Sequence, residues 1–280
     1  MMLESRGLIV VGVLALQGAF YEHIQLLEQA AVAIPNSAGA TPRQWKFIEV
    51  RTAEQLSSCD ALIIPGGEST AMSLVAARSG LLDPLRDFVK LHRKPTWGTC
   101  AGLILLAESA NRTKKGGQEL IGGLDVRVNR NHFGRQTESF QAALDLPFLA
   151  EPKGSSGNSE SPFTAVFIRA PVVEKVLPHV DGIQVEEQNR EETIVAPTRD
   201  TGYATATDGV EVLATLPGRA ARLTESGVGI AAEDNSGDIV AVRQGNVFGT
   251  SFHPELTNDS RIHEWWLRQI EAGVAKERGS

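Results

Sequence analysis

The stretch that best indicates the fold is Pro95-Thr96-Trp97-Gly98-Thr99-Cys100-Ala101-Gly102-Leu103. Its pattern predicts a short strand over Thr96–Gly98, a sharp turn, and a helix over Ala101–Glu108. The cysteine lies in the pattern Gly-x-Cys-x-Gly, which is the thiol form of a nucleophile elbow. Because the flanking residues are small, the chain can turn sharply and project Cys100 from the carboxyl end of the strand. The start of the helix favours a thiolate there, and the amide of Ala101 is placed to stabilise an oxyanion.

The rest of the first half alternates short apolar runs with amphipathic stretches, which is typical of a parallel sheet covered by helices on both faces. Its other predicted strands are Ile9–Leu14, Trp45–Val50 and Ala61–Ile64, and its other predicted helices are Tyr21–Ala30, Ser69–Arg78 and Pro84–Leu91. Strand-like runs dominate the second half: Asp125–Val128, Ser139–Ala142, Ala165–Ile168, Val210–Ala214, Ile239–Val242 and Val247–Ser251. A final helix, Ser260–Ala272, has an apolar face that would cover the sheet. These patterns predict an α/β fold with a mixed, mostly parallel sheet.

Composition and charge narrow the possible classes of function. The chain has 280 residues, of which 42% are apolar and 22% charged, so it is long enough for one large globular domain or two small ones. A formal net charge of −7 gives no overall basic footprint for nucleic-acid binding. No apolar run reaches the roughly 18 residues of a membrane span, and Leu8–Leu16 is interpreted as a buried strand rather than a secretion signal.

The two cysteines differ in their surroundings. They cannot form a disulfide framework, which favours a reducing compartment and leads us to expect a cytoplasmic protein. Cys59 has no flanking glycines and is predicted to be a buried packing residue. Cys100 is predicted to be reactive because of its glycine bracket.

A thiol nucleophile needs a base and a group that orients the base. His253 and Glu255 offer both at the end of a predicted strand, in Phe248-Gly249-Thr250-Ser251-Phe252-His253-Pro254-Glu255. Because they are two residues apart, their side chains would point the same way in an extended chain. The other histidines are His23, His92, His132, His179 and His263. His132 is the one serious competing base, whereas a solvated or packed role is predicted for His23, His92 and His263.

A glycine pair follows the predicted strand Ala61–Ile64, in Ile63-Ile64-Pro65-Gly66-Gly67-Glu68-Ser69-Thr70. Paired glycines let backbone amides approach a ligand closely, and amides at a helix start favour negative charge. The segment lacks the Gly-Lys-Ser/Thr ending of a P-loop. It therefore predicts a site for a carboxylate or an oxyanion.

These three motifs, in this order, resemble those of the class I glutamine amidotransferases. Further segments narrow the resemblance to the glutaminase subunits of pyridoxal 5′-phosphate synthase: Leu16-Gln17-Gly18-Ala19-Phe20-Tyr21-Glu22-His23, Gly66-Gly67-Glu68-Ser69-Thr70, Arg130-Asn131-His132-Phe133-Gly134-Arg135-Gln136, Phe167-Ile168-Arg169-Ala170-Pro171 and Ser251-Phe252-His253-Pro254-Glu255-Leu256. The resemblance extends over most of the chain. It implies a three-layer, flavodoxin-like fold.

The resemblance also implies an activity, the hydrolysis of L-glutamine to L-glutamate and ammonia through a glutamyl thioester. It makes Cys100 the nucleophile, His253 the acid and base, and Glu255 the partner of His253. The oxyanion would be held by amides of Gly67 and Ala101, and no metal or organic cofactor enters the reaction. The implied substrate-binding residues are Gly67, Glu68, Ser69, Arg130, Ile168 and Arg169. The two arginines suit the α-carboxylate of glutamine, because a guanidinium pairs with a carboxylate through two parallel hydrogen bonds.

The implied partner is a synthase subunit that uses the ammonia to make pyridoxal 5′-phosphate and that activates the glutaminase on docking. The segment Gln17–Glu22 is our candidate docking surface, and no nucleic-acid or membrane partner is expected. Since residues 100 and 253–255 must meet, we expect a single domain over residues 1–280. Loop insertions are expected near 35–42, 111–118, 151–162 and 189–237.

Three alternatives stay open at the level of sequence. One is a class I glutaminase of another biosynthetic pathway, against which the Leu-Gln-Gly-Ala and Arg-Asn-x-Phe-Gly-Arg-Gln segments argue. The second is a cysteine peptidase or other thiol protein on the same scaffold, which would not need Arg130 or Arg169. The third is a non-catalytic binding subunit, which the presence of all three triad residues disfavours.

Overall fold

The structure, a computed structural model, describes residues 7–34, 43–111, 118–130, 139–150, 161–180, 182–198, 209–216 and 237–279, with side chains to residue 274. The predicted insertion at 35–42 lies outside the described residues. So do residues 112–117 of the insertion predicted at 111–118 and residues 151–160 of the one predicted at 151–162. His132 lies outside them as well.

Thirteen strands are present in the described parts of the chain. They are β1 (Leu8–Leu14), β2 (Gln44–Val50), β3 (Ala61–Ile64), β4 (Thr96–Thr99), β5 (Ala107–Asn111), β6 (Leu124–Asn129), β7 (Ser139–Leu144), β8 (Phe163–Ile168), β9 (Val172–Val176), β10 (Thr193–Val195), β11 (Glu211–Leu216), β12 (Asp238–Gln244) and β13 (Val247–Thr250).

The α-helices of the same parts are α1 (Phe20–Ala33), α2 (Ala53–Ser57), α3 (Ser69–Arg78), α4 (Leu82–Arg86), α5 (Ala101–Leu106), α6 (Val185–Gln188) and α7 (Arg261–Gly279). A π-helical turn, Asp87–Leu91, continues α4. Short 3₁₀ turns cover Pro147–Leu149 and Pro254–Leu256. Within the described residues, no helix combines the length and the apolar character that a membrane span requires.

One mixed sheet runs in the order β10-β5-β6-β9-β12-β13-β4-β3-β1-β2, with β11 paired to β12, and β7 and β8 form a separate hairpin-like pair. The five consecutive strands from β13 to β2 are all parallel to one another. In the register, Thr99 lies beside Thr250 and Gly98 beside Ile64. The carboxyl ends of these strands therefore meet at one edge of the sheet, and the loops that follow them share that edge.

Helices cover both faces of the sheet, because alternate residues of the central strands point to opposite faces. Leu62 and Ile64 of β3 pack into one core with residues of α2 to α5. Ala61 and Ile63 pack into the other core with residues of α1 and α7. The predicted α/β fold with a mixed sheet and helices on both faces is confirmed.

One predicted helix is wrong at its last two residues. The helix predicted over Ala101–Glu108 ends at Leu106, and Ala107 begins β5. Strand β5 pairs with both β6 and β10. Its residues are apolar or buried on both sides, and such a short run cannot be divided between helix and strand by periodicity alone.

Several shorter elements were not predicted, and one predicted helix has different bounds. Helices α2 and α6 and strands β9 and β10 were missed. The helix predicted over Pro84–Leu91 begins two residues earlier, at Leu82, and its second half is π-helical. The segment expected as an insertion at 189–237 contributes β10 and β11 to the main sheet, while residues 199–208 and 217–236 lie outside the described parts.

The close crossing of α5 over β3 gives a first prediction. A Cβ at Gly102 would lie 2.0 Å from the carbonyl oxygen of Ile64, so Gly102→Ala must push backbone against backbone. We expect a loss of about 1–3 kcal/mol in the free energy of unfolding, measured by chemical denaturation. The matched control is Gly273→Ala in α7, where a Cβ meets none of the described atoms within 4 Å. That variant should gain about 0.5–1 kcal/mol from helix propensity, and equal effects of the two would contradict the argument.

Candidate active site

Cys100 lies at the turn between β4 and α5 in a conformation that is rare for a residue with a side chain. Its φ is 48° and its ψ is −100°. The residue is buried, and its amide donates a hydrogen bond of 2.8 Å to the carbonyl oxygen of Thr250. Strained residues of this kind persist where the surrounding structure holds them, and they are concentrated at functional sites. The predicted elbow is therefore present, with its cysteine at the carboxyl edge of the sheet.

Glycines on both sides make this elbow possible. A Cβ at Gly98 would lie 2.5 Å from the carbonyl carbon of Gly102, so any other residue type would prevent the helix from folding back over the strand. The Gly-x-Cys-x-Gly spacing thus has a direct steric cause.

His253 and Glu255 follow β13 and are in contact. The Nδ1 atom of His253 lies 2.7 Å from Oε1 of Glu255, and both side chains are buried. The two residues do not occupy an extended chain as predicted, because the chain after His253 forms the Pro254–Leu256 turn. The amide of His253 donates to the carbonyl oxygen of Val166 at 2.8 Å, which ties this loop to β8.

The electrostatic surroundings of His253 favour its protonated form. Burial alone would lower the pKa of His253, but the Cys100 thiol and the Glu255 carboxylate together raise it to about 10. The Nε2 atom is buried and has no hydrogen-bond partner among the described residues. The arrangement provides an imidazolium whose outer nitrogen is free for a reacting group and whose inner nitrogen is held by Glu255.

Gly66 packs against both the nucleophile and the base, although it was not among the predicted site residues. A Cβ there would lie 2.3 Å from Cε1 of His253 and 3.4 Å from Cβ of Cys100. The loop after β3 can pack against the pair only because this position has no side chain. The glycine pair in the sequence was the signal that could have identified it.

Two of the predicted substrate-binding residues of this loop, Glu68 and Ser69, lie beside Arg130. The NH2 nitrogen of Arg130 donates to the Ser69 hydroxyl at 2.9 Å and to the Thr70 hydroxyl at 3.1 Å, and it lies 3.9 Å from Glu68. Burial lowers the pKa of Arg130, and Glu68 opposes that change. The structure thus brings four polar groups together, of which Thr70 was not in the predicted set.

Glu68 has a local role in the fold. Its carboxylate accepts hydrogen bonds from the amides of Thr70 and Ala71, at 3.1 and 2.7 Å, and so caps α3. Burial alone would raise the pKa of Glu68, but these amides lower it below its ordinary value. The adjacent Gly67 is exposed, and the amide of Glu68 donates to Oε1 of Gln17 at 3.0 Å.

The other predicted residues of the site lie at the end of β8 and at the start of α5. The carbonyl oxygen of Ile168 lies 4.0 Å from Sγ of Cys100. Arg169 is exposed and has a φ of 44°. Ala101 is buried at the first position of α5. Cys59, in contrast, lies in the apolar core, where burial raises its pKa to about 11, as expected of a packing residue.

Two histidines for which a solvated or packed role was predicted lie directly behind Glu255. His23 and His263 are fully buried, which fits the packed alternative, but His23 Nε2 also lies 3.3 Å from Oε2 of Glu255. The helical pattern of the sequence around each residue gave no sign of this contact. His92 is exposed, and His179 is exposed and pairs with Asp125.

Comparison with known proteins agrees with this geometry. The profile of the SNO glutamine amidotransferase family matches residues 13–207 and 212–272. The chain belongs to this glutamine amidotransferase family. The family assignment from sequence is thereby confirmed.

Individual relatives of this glutamine amidotransferase carry more specific names. This chain is 40% identical to an Arabidopsis thaliana protein named "Probable pyridoxal 5'-phosphate synthase subunit PDX2", over 95% of this chain and 88% of the relative. It is 38% identical to the pyridoxal 5′-phosphate synthase subunit PdxT of Corynebacterium jeikeium, over 96% of this chain and 98% of the relative. A solved structure described as a glutamine amidotransferase superimposes with a TM-score of 0.60 at 34% identity, covering 93% of this chain and 98% of the other.

The raised pKa of His253 gives a second prediction. In an NMR titration of the histidine side chains, His253 should stay protonated through neutral pH and lose its proton near pH 10. Its contribution to folding should accordingly be complete below about pH 6.5 and disappear as the pH rises towards 10. Cys100→Ala and Glu255→Gln should each lower the pKa of His253, because each removes a group that raises it. Titration of His253 near 6.5 in the unaltered chain would contradict this account.

Proposed function

We propose that this glutamine amidotransferase is the glutaminase subunit of a pyridoxal 5′-phosphate synthase. It would hydrolyse L-glutamine to L-glutamate and ammonia and deliver the ammonia to a synthase subunit. The observation that carries this proposal is the buried cluster in which His253 lies between the Cys100 elbow and Glu255. The names of the relatives support the choice of pathway. A cytoplasmic location, expected from two free cysteines, belongs to the same proposal.

The proposed reaction begins at Cys100. Its thiolate sulfur attacks the side-chain amide carbon of glutamine, and the carbonyl π electrons move onto the oxygen. The amides of Gly67 and Ala101 then donate hydrogen bonds to this oxyanion. The exposure of Gly67 and the position of Ala101 beside the nucleophile support these roles.

The second part of the reaction depends on His253. As the oxyanion collapses, the carbon–nitrogen bond breaks, His253 donates its Nε2 proton to the nitrogen, and ammonia leaves. A water molecule next gives its proton to His253 and attacks the thioester carbon, after which glutamate departs and the thiolate is regenerated. Glu255 accepts a hydrogen bond from Nδ1 throughout, which orients the ring and stabilises its positive charge.

Arg130 is the proposed partner of the substrate α-carboxylate. Its guanidinium is largely buried and lies next to Ser69 and Thr70 at the start of α3, so hydroxyl donors accompany the charge. A carboxylate in such a place is bound by a charge-assisted pair. Ile168, whose carbonyl oxygen lies 4.0 Å from Sγ of Cys100, completes the proposed set together with Arg169 and Glu68.

The segment Gln17–Glu22 is the proposed docking surface for the synthase subunit. Tyr21 within it exposes 58% of its surface, and tyrosine is one of the residue types enriched at protein–protein interfaces. At its other end, the Gln17 side chain holds the amide of Glu68, next to the proposed oxyanion group of Gly67. A partner that binds here would contact the loop on which the oxyanion site depends.

The third prediction tests the reaction and its dependence on the partner. The isolated chain should show little glutaminase activity, and an added pyridoxal 5′-phosphate synthase subunit should raise it, scored by glutamate release and by pyridoxal 5′-phosphate formed from glutamine. Cys100→Ala should abolish both products, whereas the matched variant Cys59→Ala should keep them in its folded fraction. Full activity of Cys100→Ala with the synthase subunit would refute the mechanism.

The fourth prediction concerns substrate binding. Arg130→Ala should raise the KM for glutamine by about tenfold or more, since it removes a charged hydrogen-bonding partner. The matched control is Arg243→Ala, in β12, because Arg243 pairs with Glu211 and lies beside Phe248 at the opposite end of the parallel strands. An unchanged KM in Arg130→Ala, or an equal rise in both variants, would remove Arg130 from the proposed site.

A further inference from the structure

Two buried histidines form a chain that leads away from the far side of Glu255. His23, on α1, has its Nε2 atom 3.3 Å from Oε2 of Glu255 and 3.3 Å from the Thr99 hydroxyl. Its other nitrogen, Nδ1, lies 3.0 Å from Nε2 of His263, on α7. Both histidine side chains have no exposed surface. The mechanism described above uses neither of them.

The second oxygen of Glu255 needs a donor. Oε2 is buried and makes no well-aligned hydrogen bond within the described part of the chain. The Nε2 atom of His23 lies next to it, at 3.3 Å. A buried carboxylate oxygen without a donor costs considerable free energy. A hydrogen on Nε2 of His23, shared between Thr99 and Glu255, meets part of this need.

The protonation states allow one consistent arrangement. Burial, with smaller contributions from the nearby His263 and His253, lowers the pKa of His23 well below its ordinary value, and burial lowers the pKa of His263 to about 3. Both rings are therefore neutral, and each carries a single N–H. If His23 carried its hydrogen on Nδ1, the lone pair of Nε2 would face the carboxylate, which is unfavourable. Nδ1 must then accept, and Nε2 of His263 must donate to it.

Packing keeps the two rings in this relation. The indole of Trp97 contacts both of them, with ring centroids 5.6 Å from His23 and 4.9 Å from His263. The charged or titratable groups that act on the pair are His253 and Glu255, from the loop after β13, and Asp259, before α7. The rings thus have little room to turn, and few groups compete for their hydrogens.

We propose that His23 and His263 are positioning residues for the triad. His263 fixes the tautomer of His23, and His23 presents its Nε2 hydrogen to Glu255, which keeps the carboxylate directed at His253. This inference rests on the proposed function. Neither residue touches the substrate, and each acts through Glu255.

The first test is His23→Leu, assayed with the synthase subunit present. Its kcat should fall by about tenfold or more, because a hydrogen bond to a charged group is lost. The KM for glutamine should be unchanged, because the substrate does not meet His23. The alkaline side of the pH–rate profile should move to lower pH, because a Glu255 side chain that is held less firmly against His253 raises the pKa of that imidazole less.

The conservative variants separate positioning from packing. The amide nitrogen of glutamine can occupy the place of a histidine Nε2, so His23→Gln and His263→Gln should recover most of the kcat and the original pH profile. His263→Leu should behave like a milder His23→Leu, because the tautomer of His23 is no longer fixed. The matched control is Ile270→Ala, a buried residue of α7, which should lower stability without moving the pH profile.

Several outcomes would overturn the inference. They are an unaltered kcat and pH profile in His23→Leu, a Gln variant no better than the Leu variant, or a shift of the profile in Ile270→Ala. If His23→Leu does not fold, NMR of the ring nitrogens of the unaltered chain decides, since a hydrogen on Nδ1 of His23 contradicts the proposal. A chain without glutaminase activity under any condition would instead refute the proposed function, and the NMR result would still judge the arrangement of the histidines.

Discussion

The close crossing of helix α5 over strands β3 and β4 is the constraint on which the candidate site depends. Gly98 and Gly102 face each other across this crossing, and Gly102 lies against the carbonyl oxygen of Ile64. Without side chains at these positions, the chain can turn within one residue and place Cys100 at a positive φ. The amide of Cys100 is then fixed by Thr250 of the neighbouring strand. One steric condition therefore sets the position of the nucleophile relative to β13, which leads to His253 and Glu255.

A second consequence of the same architecture is that charges are buried. The carboxyl ends of parallel strands converge, so the loops after β3, β4 and β13 crowd around one point, and Gly66 lets them approach His253. Charged groups in such a place are stable only if hydrogen bonds or opposite charges compensate for the lost water. Glu255 meets this need for His253, and the side chains behind Glu255, from α1 and α7, extend the polar network into the core.

Much of the fold could be predicted from the sequence because its signals are local. The strands β1 and β3 are short apolar runs. The Gly-x-Cys-x-Gly spacing indicates a strand, an elbow and a helix in one motif. The change from α5 to β5 could not be predicted, because Ala101–Asn111 is apolar or buried on nearly every side and carries no periodicity that separates helix from strand. Only pairing with β6 and β10 makes its second half extended.

The sequence by itself determined which residues are candidates for catalysis and binding. They are a cysteine between glycines, a His-x-Glu pair after a strand, and a glycine pair before a helix. These are local patterns, and local sterics give them meaning before any tertiary contact exists. Only the tertiary structure decided which side chains share the interior with Glu255. His23 and His263 lie 240 residues apart, and their helical patterns resemble those of ordinary core positions. Their contact arises because α1 and α7 pack side by side on one face of the sheet, which no local pattern records.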